Sequence, residues 1–169
     1  MNYNNNQNNI LLNKVLNFYT PENTNTFIDI IENKYNISLR IIDWFVTIYC
    51  KNKHVQYPLN NNNFNVYESY KLMGKSYKKR KFDPFCRGDR IFINHNNHNF
   101  ETTIGQLNFF KWAISNNIIN YISENKEFLN NEMSKYIKES NAKKNIKKLK
   151  INAEKNIHEK NIEIVVSFN

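Results

Sequence analysis

The stretch SLRIIDWFVTIYCKNK, Ser38–Lys53, is apolar on nearly every side and leaves no obvious face for solvent. The fold therefore has to be built around it. A buried helix capped by Ser38 and a long central strand both fit, because periodicity does not separate the two in so apolar a run. Its length and its lack of Gly and Pro favour helix.

Other segments declare themselves by pattern. Leu11, Val15 and Phe18 suit one helix face, Pro21 is expected to break it, and Thr26 is expected to cap a short helix through Ile31. Asn60–Asn63 reads as a polar loop. Asn65 followed by Glu68 forms a capping box, and Val66, Tyr70, Met73 and Tyr77 recur on one face of the helix it opens. That helix ends before Pro84. RIFINHNNHNFETT reads as a β-hairpin over about 91–102, with Ile91 and Ile93 against Phe100 and Thr102. Thr103 opens another helix, and after residues 115–117 the apolar pattern resumes through Ile118, Ile122, Leu129 and Ile137 to about Ser140. The closing NIEIVVSFN is β-branched and alternating, which predicts a strand over 162–168 returning to the hairpin.

Charge is unevenly spread. The chain of 169 residues carries +9, yet residues 71–90 alone carry +6 and residues 141–160 carry +5. All of the excess lies in those two segments. Excess positive charge favours polyanions. In the first segment Lys71, Lys75, Lys78, Lys79, Arg80, Lys81, Arg87 and Arg90 are the candidate phosphate contacts. In the second they are Lys143, Lys144, Lys147, Lys148 and Lys150, on a segment where Ile146, Leu149, Ala153 and Ile157 suggest an amphipathic helix. Phe82 and Phe85 read as core residues that hold the first basic loop, with base stacking as the rival role.

Catalytic and metal chemistry find little support. The 3 Gly are too few for a phosphate-cradling loop, and no nucleotide, nucleophile-elbow or zinc-protease motif is present. Asp43 in its apolar segment is expected to pair with Arg40 a turn away. Cys86, beside Arg87, sits where a thiol pKa can fall, but the four His are scattered, and a buried small hydrophobe is the favoured reading. His95 and His98 read more simply as turn residues than as ligands. Cys50 and Cys86 are too few for a disulfide framework. No cofactor is expected. No apolar run reaches the roughly 20 residues of a bilayer span, and the start lacks a signal-peptide pattern. The 35 Asn, against 3 Ala, read as the codon bias of an A/T-rich genome.

The blocks SLRIIDWFVTIYC, KFDPFCR, TTIGQLNFFKWAI and NIEIVVSFN resemble a small, largely uncharacterised protein family of nucleocytoplasmic large DNA viruses. That resemblance implies a viral origin, and by analogy an association with the genome or the particle.

The expectation is an α+β fold: a mainly helical single domain with a small antiparallel sheet. Residues 1–9 would be a disordered Asn-rich tail, 10–140 the globular part, 141–160 a basic segment, and 161–169 a strand packing back. The expected function is non-enzymatic nucleic-acid binding through backbone phosphates, DNA before RNA. The alternative is a structural or assembly protein binding acidic virion proteins. The expected location is intracellular, in host cytoplasm or viral factory, with packaging in the virion as a further option.

Overall fold

A computed structural model of the protein describes residues 3–34, 37–77 and 79–159. The chain divides into two compact units between Leu129 and Asn130.

In the first unit, α1 (Tyr3–Leu16) and α2 (Pro21–Ile31) come first. Three expectations are corrected here. The Asn-rich start is helical from Tyr3, not a tail, despite the poor helix propensity of Asn. Pro21 does not break a helix but opens α2 at its first position, with Thr20 as the cap accepting from Asn23 N–H at 3.3 Å. Proline suits that position because its missing N–H would be unpaired there anyway. Thr26 lies inside α2, where its hydroxyl donates to Glu22 O.

The apolar run at 38–53 is helical throughout. Ser38 caps α3 (Leu39–Trp44), accepting from Ile41 N–H at 3.3 Å. The helix widens into a π turn over Phe45–Tyr49, where Cys50 N–H donates to Phe45 O, and closes as α4 (Cys50–Lys53). Ile41, Ile42, Trp44, Phe45, Val46 and Cys50 are all buried.

A hairpin absent from the sequence-based expectation follows: β1 (Gln56–Leu59) pairs with β2 (Asn62–Asn65), so the expected polar loop is its turn at Asn60–Asn61 together with the first two residues of β2. Next is α5 (Val66–Tyr77), with Glu68 N–H donating to Asn65 Oδ1 at 3.0 Å, the N-cap half of the expected capping box. The expected hairpin stands as β3 (Arg90–His95) and β4 (His98–Thr103). Ile91 faces Thr102 and Ile93 faces Phe100.

Both hairpins turn on two Asn with positive φ, Asn60–Asn61 (49° and 64°) and Asn96–Asn97 (50° and 63°). Two left-handed residues give the turn whose twist matches that of the strands. The second turn is tied down. His95 Nε2 lies 2.6 Å from Tyr19 O, and Asn96 Nδ2 donates to Tyr19 O and Thr24 Oγ1, each at 2.8 Å.

The helix α6 (Ile104–Ser115) runs through the middle of this unit. Gly105 through Phe110, Trp112 and Ala113 are buried on all sides, the signature of a core helix. Thr103 caps it by accepting from Gln106 N–H. The expected single helix from Ile118 to about Ser140 is instead two, α7 (Ile118–Glu124) and α8 (Lys126–Glu159), broken at Asn125.

The second unit holds the remainder of α8. The basic segment is thus the continuation of a 34-residue helix. The architecture is α+β, mainly helical, with two separate two-stranded antiparallel sheets among the described residues. The expected strand at 162–168 lies outside the described residues. Among these residues no helix is long and apolar enough to cross a membrane.

Candidate nucleic-acid interface

Basic residues 79–90 sit on a loop that the core grips from below. After α5 the chain makes a 3₁₀ turn over Lys79–Lys81 and then drops Phe82 into the interior. Phe82 contacts Tyr70, Tyr77, Phe109 and Trp112, with ring centroids 5.3–6.0 Å apart. Its role is structural, as its sequence setting suggested, and buried aromatics of this kind fix a loop better than backbone alone.

The first turns of α6 supply further grips. Asn108 Nδ2 donates to Lys81 O at 2.9 Å, Asp83 N–H to Gly105 O at 3.2 Å, and Gln106 Nε2 to Pro84 O at 3.0 Å. Thr102 Oγ1 donates to Gln106 Oε1, which orients that amide. The backbone at Arg80 comes so close that a Cβ on Gly105 would lie 2.8 Å from Arg80 O. The loop is thus preorganised, and a ligand meeting it does not have to order it.

Its charges are less available than a count suggests. Arg87 is engaged bidentately by Asp83, at 2.9 Å (Nε–Oδ2) and 2.6 Å (Nη2–Oδ1), and its guanidinium lies 4.8 Å from the Phe85 ring centroid. Arg90 pairs with Glu101 at 3.2 Å. Lys71, Lys75 and Arg80 are exposed, and Lys81 is half-buried. Lys79 enters through the backbone of its turn. Lys78 lies outside the described residues.

In the second unit, Lys143, Lys144, Lys147, Lys148 and Lys150 are all exposed along α8. The ion pairs formed among the described residues do not involve them. Lys143, Lys144 and Lys147 share a shallow depression with Tyr136, Glu139 and Ser140. From Lys143 to Lys150 the helix rises about 10 Å, a length over which duplex DNA carries about six charges. Ile146 and Leu149, on the other side of this stretch, are 55% and 69% exposed.

The remaining candidates are rearranged. Asp43 does not pair with Arg40. Burial raises its carboxyl above the ordinary 3.8, opposed by the Arg87 guanidinium and assisted by Asp83. The Cys86 thiol is raised, not lowered: half-burial outweighs Arg90, and Glu101 and Asp83 push the same way as burial. Cys50 is buried and its thiol is pushed far up. His95 is spent on Tyr19 O, and His98 Nε2 lies 2.8 Å from Asn25 Oδ1. Among the described residues no three His, Cys, Asp or Glu gather as a metal site.

One side chain was not singled out by its sequence. Phe92 is 86% exposed, the most open large apolar group among the described residues. The alternation that turns Ile91 and Ile93 inward sends Phe92 outward, so the signal was present in the strand period.

Fold and surface together define a small, mainly helical α+β protein with a rigidly held basic loop and a lysine-studded helix. Across residues 1–167 the chain matches a family described as a family of unknown function (DUF7197), and it belongs to that family. It is also 37% identical over 129 residues to "Uncharacterized protein L507" of Acanthamoeba polyphaga mimivirus, covering 70% of this chain and 50% of the relative. The resemblance to an uncharacterised giant-virus family thus holds at that level. The chain spans about half the length of this curated relative. No solved structure matches it.

Proposed function

We propose that this is a non-enzymatic, genome-associated viral protein that binds nucleic acid through backbone phosphates, DNA before RNA. The observation that carries the reading is the row of five exposed lysines on α8 that the ion pairs of the described residues leave out. The gripped loop with exposed Arg80 and its α5 neighbours Lys71 and Lys75 adds a second basic surface. The proposed site of action is the host cytoplasm or viral factory, with carriage in the particle as a consequence of genome binding.

The test is anisotropy of fluorescein-labelled duplex and single-stranded DNA and RNA over a salt series. A Lys143/Lys144/Lys147/Lys148/Lys150→Gln variant is compared with the parent chain. Each lysine withdrawn from a phosphate reduces the log–log salt slope by about 0.9, so the expected flattening is up to about 4.5. An unchanged slope in that variant contradicts the reading.

A second reading is an assembly role with an acidic protein partner. It calls for an exposed apolar surface, which buried Phe109 and Trp112 do not supply. Exposed Ile146 and Leu149 favour it instead, since association needs apolar burial as well as charge. Loss of partner capture in an Ile146/Leu149→Ser variant that still binds DNA would support this second role.

A further inference from the structure

We propose that the outward face of the β3–β4 hairpin is a stacking platform for an unpaired nucleobase, with Phe92 as the platform, so that the ligand class at this site is single-stranded nucleic acid. The inference rests on the phosphate-binding reading and adds to it a base contact.

Scattered surface phenylalanines are ordinary, and exposure alone assigns nothing. What singles out Phe92 is its setting. It stands on a two-stranded sheet whose other face is packed, with Ile93 and Thr102 buried, so the ring is held on a rigid support. The hairpin turn is pinned to Tyr19 and Thr24 at the far end. Arg90 lies two residues before Phe92 on the same face, about 7 Å along the strand. Arg90 is paired in register with Thr103, and a Cβ on Gly88 of the basic loop would lie 3.8 Å from Thr103. The same Gly88 position is 3.7 Å from Arg80 O. Phe92 therefore stands beside the basic loop, on the strand that continues from it.

The surroundings suit a base. Phe92 shares a shallow recess with Asn94, Asn99 and Glu101. Amides and a carboxylate around an exposed ring can hydrogen-bond the edges of a splayed base while the ring takes its face. Arg90, held by Glu101 at 3.2 Å, is placed to exchange that carboxylate for a phosphate. A base paired inside a duplex cannot offer its face to the ring, so the platform selects unpaired strands.

Phe82 and Phe85, the phenylalanines nearest the basic residues in sequence, do not fill this role. Phe82 is withdrawn by burial, and Phe85 is half-buried with its ring engaged by Arg87.

The experiment compares the full chain with Phe92→Ala, Phe92→Leu and Phe92→Tyr, using a fluorescein-labelled oligo-dT, an oligo-U and a mixed-sequence duplex at fixed salt. Stacking on one base predicts that Phe92→Ala weakens oligo-dT and oligo-U binding by about 5- to 140-fold. Duplex affinity and salt slope should not change. Phe92→Leu, which keeps apolar bulk and loses the π face, should behave like Ala, and Phe92→Tyr like the parent. Melting temperatures of all four chains should coincide, because the ring is outside the core. Single-strand affinity that survives Phe92→Ala, but falls in the α8 lysine variant, overturns the platform and leaves phosphate binding standing. Retention in Phe92→Leu also overturns it, in favour of a plain apolar contact. Failure of the parent chain to bind any of the three probes at low salt overturns both proposals together.

Discussion

Two glycines on helices offer a controlled pair of substitutions with opposite expected signs. Gly105 is the second residue of α6, and a Cβ there would sit 2.8 Å from Arg80 O and 3.4 Å from Lys81 C and Cα. Moving the first of these to ordinary contact at 3.4 Å requires a shift of 0.6 Å (3.4 less 2.8). The loop cannot yield freely, because Asp83 N–H and Asn108 Nδ2 hold it at 3.2 and 2.9 Å. Overpacking of this kind costs about 1–3 kcal/mol. The helix preference of Ala over Gly returns at most about 1 kcal/mol, and less at a helix start. Gly105→Ala should therefore destabilise by about 1–2 kcal/mol, a fall in Tm of about 2–8 °C for a chain of this size. Gly74 lies inside α5 with nothing within 4 Å of an added Cβ. Gly74→Ala should gain about 1 kcal/mol and raise Tm by about 2–4 °C. Thermal and urea melts of both variants against the parent decide the matter. If Gly105→Ala melts at or above the parent temperature, the loop is not gripped by α6 as described.

Asp43 predicts a pH signature. Burial raises its carboxyl above 3.8, so the folded chain binds this proton more tightly than the unfolded one. The stabilisation from that proton is full below pH 3.8 and is lost as pH rises through the folded value. Asp43→Asn should accordingly melt above the parent at pH 7, with the gap closing toward pH 3; a gap of constant size would contradict the burial argument. The thiols predict reactivity: native Cys86 should react with a disulfide reagent at pH 8 more slowly than free cysteine, since its thiolate is disfavoured. Native Cys50 should react only on unfolding, and equal rates for the two cysteines would refute the assignment.

The legible parts of this chain were those in which one local rule acts alone. Asn65 and Glu68 gave the start of α5, and the alternation of Ile91, Ile93, Phe100 and Thr102 gave the second hairpin with its register. The parts that misled were those in which two rules compete. Pro21 both ends and starts helices, and only the cap at Thr20, accepting from Asn23, decides for a start. Asn125 ends α7 without Gly or Pro, so the apolar pattern ran on across the break. Cys86 has basic neighbours in sequence, whereas in space Glu101 comes from β4 and burial outweighs Arg90. For the candidate site, the basic residues were visible, but the carboxylates that occupy Arg87 and Arg90 were half hidden. Asp83 lies four residues from Arg87 and could be suspected; Glu101 reaches Arg90 only through the register of β3 and β4.

Asparagine is where composition and conformation part company. The chain holds 35 Asn and only 3 Gly, the pattern expected of codons biased toward A and T. That bias does not explain where the Asn fall. Among the described residues, the non-glycine positions with positive φ are Asn33, His54, Asn60, Asn61, Asn96, Asn97 and Asn117, and no Gly has positive φ. Those are the positions where Gly is the usual solution and Asn the next best, because its short polar side chain tolerates the left-handed region. A chain with only 3 Gly has placed asparagine where backbone geometry demands it. That substitution has a mechanical consequence for function. An Asn turn loses less conformational entropy on folding than a Gly turn and brings an amide that can bond elsewhere, as Asn96 does to Tyr19 and Thr24. The hairpin that carries Phe92 is stiffened at its tip by the residue that composition alone would have dismissed.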